Sequence, residues 1–239
     1  MGVDEHAKHF FVYRDLITSR SKFFAKALRK YGEGDNGDIT WLEGEEGIIK
    51  LPEDNPDVFA YYLQLIYQGQ VPAGKAFKGD VDAMSEDELE DAISNLVNAE
   101  YERLSKLYIF CEKVRDTTGK VLLIAAFVEA YHKKREDGCP YFPVSKCVTK
   151  VYEGTMDGDP LRQFCVDCYA LQAHAQWFEN EKAEEYNLQF LFDVMKEMAN
   201  ARDQVTDYSE IKSAEAYCKK LLDTEQEEDG GSTTPAQAK

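Results

Sequence analysis

Two of the six cysteines have the spacing of a metal or redox motif. Cys165 and Cys168 form a C-x-x-C pair, and Cys139 and Cys147 precede them in the chain. Paired thiolates at this spacing bind zinc or exchange disulfides. Both members of the pair, however, fall inside a predicted helix, whereas structural zinc sites usually take such pairs from turns. We therefore interpret them as buried core thiols and keep a metal- or redox-active site as the competing hypothesis.

The other residue types that commonly carry catalysis form no recognisable group. The four histidines, His6, His9, His132 and His174, are scattered, and none is paired with a serine or cysteine in a nucleophile motif. The sequence contains neither a G-x-S-x-G elbow nor a phosphate-binding glycine loop. Carboxylates are abundant, but no pair stands apart from the general acidic background. The sequence therefore predicts no enzyme and no cofactor.

The charge balance of the chain restricts its partners. The 239 residues include 45 acidic and 28 basic side chains, which gives a formal charge of -17. Such a charge repels phosphate backbones, so we expect no binding to nucleic acid. No apolar run approaches the roughly 20 residues that span a bilayer, and the first residues lack the layout of a signal peptide. The sequence predicts no membrane association and a cytoplasmic or nuclear location.

The elements that would position a site begin with residues 10–28. Their apolar spacing changes from period two to helical spacing, which predicts the end of a strand, a turn and two short helices. Residues 39–42 and 48–51 are predicted as short strands, separated by Gly44 and Gly47. These three segments predict a small sheet.

The rest of the chain contains several N-cap signals that predict where helices begin. Asn55 followed by Pro56 predicts a helix that runs to about Gln68 and stops at Gly69. Ser85 and Glu88 have the spacing of a capping box, followed by a long apolar stripe from 89 to 114. Further helices are predicted at 118–136, 144–152, from Pro160 with Asp159 as its cap, at 188–202 and at 209–222, and a disordered tail is predicted after 222.

Several of these motifs, in this order, resemble one known family. They are FFVYRDLI (10–17), SRSKFF (19–24), LPEDNPDVF (51–59), LIYQG (65–69), LYIFCEK (107–113), and YEGT (152–155) with Leu161 and Arg162. Together they resemble a BTB/POZ domain of the fungal type that carries a helical C-terminal extension.

The resemblance implies an α+β fold, in which a small mixed sheet is flanked by helical hairpins and followed by an all-α region. The BTB/POZ domain would cover residues 1–116, with an acidic insertion at about 73–98. The helical extension would cover 117–222, and a disordered acidic tail would follow at 223–239.

The resemblance also implies a function in protein association. Members of the family act as adaptors or scaffolds, many form homodimers, and many present a client protein to a cullin-type ubiquitin ligase. The alternative is a nuclear regulatory scaffold that binds a co-regulator and has no ligase role. In both cases the expected partners are other proteins.

Two groups of site residues follow from the resemblance. Trp41 and Glu43 occupy the place of the cullin-contact motif, although Trp41 could instead pack on the local sheet. The dimer or groove face would consist of Asp15, Leu16, Arg20 and Phe23, with Asp15 and Arg20 as candidates for a local polar pair.

Overall fold

The computed structural model describes residues 1, 8–29, 45–72, 74, 76–178 and 182–201. These residues form eight α-helices, which are α1 (Arg14–Arg20), α2 (Lys22–Ala27), α3 (Pro56–Gln68), α4 (Glu86–Val114), α5 (Thr117–His132), α6 (Ser145–Gly154), α7 (Pro160–Gln172) and α8 (Leu188–Ala201). Single-turn 3-10 helices lie at Val81–Ala83, Ala175–Phe178 and Ala183–Glu185.

The predicted α+β fold is wrong, because the described part of the chain is helical and contains no β-strand. Residues 10–12 and 48–51 lie outside regular secondary structure, and residues 39–42 lie outside the described ranges. The side chains of Phe10, Ile49 and Leu51 pack against the helical core. A short apolar run can therefore bury its side chains on helices without joining a ladder, and its sequence pattern does not distinguish the two outcomes.

The predicted starts of the two long helices in the first half are confirmed. The Asn55 side chain accepts a hydrogen bond from the Asp57 amide at 2.8 Å, and α3 ends at Gly69, whose φ is 66°. A left-handed φ favours glycine at this place, because the Cβ atom of any other residue would crowd its own backbone. Ser85 and Glu88 form the reciprocal capping box at the start of α4.

Helix α4 is the central element of the fold. Its 29 residues extend for about 43 Å, at the usual rise of 1.5 Å per residue. It packs against α2, α3, α5 and α6. Its inward face is fully or almost fully buried and includes Ile93, Val97, Tyr101, Leu104, Leu107, Tyr108, Phe110, Cys111 and Val114. Burial of such side chains stabilises each by about 1.5–3 kcal/mol relative to exposure, so this face dominates the core.

The core has two clusters of buried residues. The larger cluster joins side chains from α1 to α7, including Ile17, Phe24, Tyr62, Phe127 and Leu161. The smaller cluster lies where α6, α7 and α8 meet, around Tyr152, Tyr169 and Phe190. The larger cluster thus contains residues from both sides of position 116, where the predicted BTB/POZ domain would end. The division into 1–116, 117–222 and 223–239 stays a prediction, and residues 202–239 lie outside the described ranges.

The Glu102 carboxylate of α4 links this helix to α6, and its pKa is well below the usual value. The Lys150 ammonium donates to Glu102 Oε1 at 2.6 Å, and Lys106 lies 3.2 Å from the same oxygen. These hydrogen bonds lower the pKa of the Glu102 carboxyl to about 2. Because the folded pKa is depressed, the stabilisation is fully present above the unfolded pKa of about 4.3. It is lost as pH falls from there to about 2.

We predict that Lys150→Met makes the protein less stable at neutral pH by up to about 1 kcal/mol, because the carboxylate is 39% exposed and solvent screens the pair. Urea unfolding across a pH series should show the difference from the natural protein shrinking below about pH 4.3. Lys146→Met, at an exposed position of the same helix, is the matched control. A stability difference that stays constant with pH would contradict this account.

Candidate interaction surface

The segment that leads into α1 exposes two aromatic side chains. Phe10 and Val12 pack against the core, and the Phe10 ring centroid lies 4.9 Å from that of Phe59. Phe11 is 97% exposed and Tyr13 is 76% exposed. Side chains of an extended segment alternate between its two sides, so the two inward residues leave the other two facing solvent. The segment therefore presents an aromatic surface without being part of a sheet.

Tyr67 extends this surface from the last turn of α3. Its ring centroid lies 6.3 Å from that of Tyr13, and its hydroxyl accepts a hydrogen bond from the Tyr13 amide at 3.3 Å. We call Phe11, Tyr13 and Tyr67 the N-terminal aromatic face. Tyr67 is 47% exposed, so all three side chains present apolar ring area to solvent, and the two tyrosines add polar hydroxyls. Such patches are typical of surfaces that bind other proteins.

The four residues of the predicted dimer or groove face do not form one surface in the structure. Asp15 is exposed and lies in a cleft of about 500 Å³ between α1 and α2, lined also by Arg14, Thr18, Ser19, Ala25 and Arg29. Leu16 and Phe23 are partly buried and pack against the core instead. Of these three side chains, Asp15 alone is available at the cleft for contact with a partner.

Arg20, the fourth residue of that predicted face, points inward. Its Nη2 lies 3.2 Å from Oδ2 of Asp116, whose side chain is fully buried, and its Nε lies 3.5 Å from Oδ1. Asp116 Oδ1 also accepts the Gly119 amide at 2.8 Å and so caps α5. Burial, and then the nearby Asp116 charge, raise the pKa of the Tyr62 phenol and of the Cys111 thiol. Arg20 thus serves a buried polar cluster between α1 and α5 and does not pair with Asp15.

Trp41 and Glu43 lie outside the described residues. The cullin contact assigned to them stays a prediction.

Both cysteines of the C-x-x-C pair lie in the core, where core thiols are expected, and the competing metal- or redox-active hypothesis stays untested. Cys165 and Cys168 are buried in the smaller cluster, among residues such as Val166 and Phe190. Burial raises the pKa of the Cys165 thiol well above its usual value and that of Cys168 to about 12. Thiols with a raised pKa stay protonated at neutral pH and are poor nucleophiles. The described residues include no group of three or more His, Cys, Asp or Glu side chains placed to hold a metal ion.

The aromatic face was missed at the level of sequence for a simple reason. Phe10, Phe11, Val12 and Tyr13 are all apolar, so no polar residue marks which side of the segment faces solvent. The three-and-four spacing of Phe59, Leu63, Ile66 and Tyr67 predicts a buried helix face, whereas Tyr67 is 47% exposed.

Among the described helices, none is both long and apolar enough to cross a membrane. Comparison of the chain with protein-family models, with curated proteins and with solved structures gave no significant match. The BTB/POZ resemblance therefore stays a prediction from sequence motifs.

Proposed function

We propose that the chain is a non-enzymatic protein-association module, an adaptor or scaffold that binds another protein through the N-terminal aromatic face. The observation that carries the proposal is the 97% exposure of the Phe11 side chain. A large aromatic residue exposed to water forgoes the free energy of burial, of the order of 1.5–3 kcal/mol. An interface recovers that free energy, and aromatic residues are enriched among the residues that dominate binding.

The neighbourhood of Phe11 supports the same proposal. Tyr13 and Tyr67 add area that is apolar on the ring and polar at the hydroxyl, which is the character of an interface residue. Lys8 and Asp57 form an exposed ion pair at 2.7 Å between the N-terminal segment and the start of α3. Charged groups of this kind provide orientation and contribute little energy. The partner is proposed to be a protein, because the charge of -17 disfavours nucleic acid.

Two forms of this function differ in the partner. In the first, the chain links a client to a cullin-type ubiquitin ligase, with Trp41 and Glu43 at the cullin contact. In the second, it is a nuclear regulatory scaffold that binds a co-regulator without a ligase role. In the second form, the cleft beside Asp15 is the place proposed for the co-regulator. A homodimer is compatible with either form.

The test is photo-crosslinking from position 11. The full chain carrying p-benzoylphenylalanine in place of Phe11 is irradiated in a native extract, and covalent products are identified by mass spectrometry. We expect a defined protein adduct, because an interface residue is held against its partner. The matched control places the same group at Leu171, another apolar side chain that is 65% exposed but lies far along the chain.

Each product has a defined meaning. A second copy of the chain indicates a homodimer, a cullin indicates the ligase adaptor, and another protein indicates the regulatory scaffold. Each of these adducts should also disappear when unlabelled natural chain competes in excess. Absence of any adduct from position 11, or the same adducts from position 171, would overturn the proposal.

A further inference from the structure

A second surface stands out because its charge is opposite to that of the rest of the chain. It is a cleft of about 280 Å³ where α4 ends, α5 begins and the start of α7 approaches. Its lining consists of Lys22, Tyr108, Glu112, Arg115, Thr117, Lys120, Val121, Ile124 and Pro160. We call it the basic cleft, because three cations and one carboxylate line it in a chain with a formal charge of -17.

The three cations are not equivalent. Lys120 is held in place: its ammonium donates to Asp159 Oδ2 at 2.7 Å, contacts Glu112 and lies 5.0 Å from the centre of the Tyr108 ring. Lys22 and Arg115 are exposed, and their side chains make no ion pair or hydrogen bond with any described residue. The internal carboxylates thus satisfy Lys120 and leave two positive charges available to a ligand.

The backbone of Arg115 is a further sign that this side chain is needed for something other than the turn. Arg115 has a φ of 59°, and no other non-glycine residue in the described ranges has a positive φ. Glycine adopts this conformation at the end of a helix without strain, whereas other residues do so at a cost. Strained positions of this kind are found preferentially at functional sites. Here the residue in the strained turn contributes to the lining of the cleft.

One wall of the cleft is apolar. Val121 is 61% exposed on the outer side of α5, and Ile124 lies one turn further along the same helix. Pro160 is exposed at the start of α7. A ligand that fits this surface therefore combines negative groups for Lys22 and Arg115 with an apolar group for Val121.

We propose that the basic cleft binds an acidic segment of a partner protein, with two carboxylates facing Lys22 and Arg115 and an apolar side chain on Val121. An acidic peptide fits better than an isolated anion, because it supplies both the charge and the apolar contact. The inference goes beyond the proposed function: it adds a second contact site made of residues that do not belong to the N-terminal aromatic face. Either site can therefore fail its test without the other.

The test measures binding of a short fluorescent peptide of Asp, Glu and Leu to the purified chain by fluorescence polarisation. A peptide of Asn, Gln and Leu with the same order is the neutral comparison. We expect the acidic peptide alone to bind, and its affinity to fall as salt is raised, since charges at a surface are screened over about 8 Å at physiological ionic strength. Lys22→Glu with Arg115→Glu should weaken binding about tenfold or more, because rim charges that attract become charges that repel.

The matched control is Lys133→Glu with Lys134→Glu, which changes the net charge equally at two exposed lysines after α5. This variant should bind almost as well as the natural chain. Arg115→Gly separates the effect on binding from the effect on stability. It should lower the affinity for the acidic peptide, because one cation is lost. It should also raise the midpoint of urea unfolding, because the turn loses its strain. Failure of the acidic peptide to bind, equal binding of the neutral peptide, or equal losses in the two charge-reversal variants would overturn the proposal.

Discussion

Replacing Asp116 with alanine is expected to lower the free energy of unfolding by about 3–5 kcal/mol, the usual cost of breaking a buried ion pair by removing one partner. The Asp116 side chain is fully buried and the Arg20 side chain is 16% exposed, with 3.2 Å between Nη2 and Oδ2. Without the carboxylate, the guanidinium keeps its charge in a site that water barely reaches. The substitution also removes the cap of α5, which Asp116 provides by accepting the Gly119 amide.

The cap and the ion pair can be measured separately. Ser85→Ala removes an N-cap at the exposed start of α4, and we expect it to cost about 1 kcal/mol. The difference between this variant and Asp116→Ala then estimates the effect of the unpaired arginine. Urea unfolding gives both values, provided that the slope of the transition is unchanged.

The double variant Arg20→Met with Asp116→Ala provides the decisive comparison. It removes the stranded charge, so it should be more stable than Asp116→Ala alone, even though it carries one more substitution. Arg20→Met alone is measured as well. If the loss of unfolding free energy in the double variant equals the sum of the losses in the two single variants, the two side chains are not coupled. The assignment of Arg20 to a buried cluster is then wrong.

This ion pair shows why part of the fold was beyond the reach of sequence. Arg20 and Asp116 are 96 residues apart in the chain. Nothing in the local pattern of either residue indicates its partner, so Asp15 was the nearest plausible choice. By contrast, the boundaries of α3 depend on Asn55, Pro56 and Gly69, whose effects act within one helical turn. The sequence therefore predicts helix boundaries that depend on neighbouring residues, but it does not predict ion pairs between residues that are far apart in the chain.

The incorrect sheet has the same origin. A strand is stabilised by its neighbours, so an apolar run such as residues 48–51 is compatible with a ladder or with packing on helices. The side chains of Ile49 and Leu51 reach the helical core without a ladder. The candidate site could be predicted in part, because the sequence indicates residues 10–28 as the important segment. Only the burial of the side chains in the fold shows that Phe11 and Tyr13 face solvent while Leu16 and Phe23 do not.

The second large effect is expected at Arg162, which joins the end of α6 to α7. Its guanidinium donates to the Tyr152 carbonyl at 2.8 Å, to Thr155 Oγ1 at 3.0 Å and to Asp157 Oδ1 at 2.7 Å, and it also contacts the Thr155 carbonyl. It lies 4.6 Å from the centre of the Tyr152 ring. The Arg162 side chain is only 12% exposed, so it satisfies carbonyls at a helix end that solvent can barely reach.

We predict that Arg162→Lys lowers the free energy of unfolding by about 2–3 kcal/mol, as measured by urea unfolding, although the charge is retained. A lysine ammonium is a compact point charge and cannot donate in several fixed directions from one plane. Each lost bond to a buried acceptor costs about 1–3 kcal/mol, and some of these acceptors will find a new donor. Arg115→Lys, at an exposed position, is the control and should change stability by less than about 0.5 kcal/mol.

The effect should extend to α8, because Tyr152 also holds that helix. Its hydroxyl donates to Asp193 Oδ2 at 3.0 Å, and its ring centroid lies 5.6 Å from that of Phe190. Loss of the guanidinium removes one of the contacts that hold the Tyr152 ring. Amide exchange in Arg162→Lys should therefore accelerate in α6–α8 more than in α1–α3. Full retention of stability by the lysine variant would mean that the charge suffices at this position. The planar geometry of Arg162 would then have no part in joining α6 to α7.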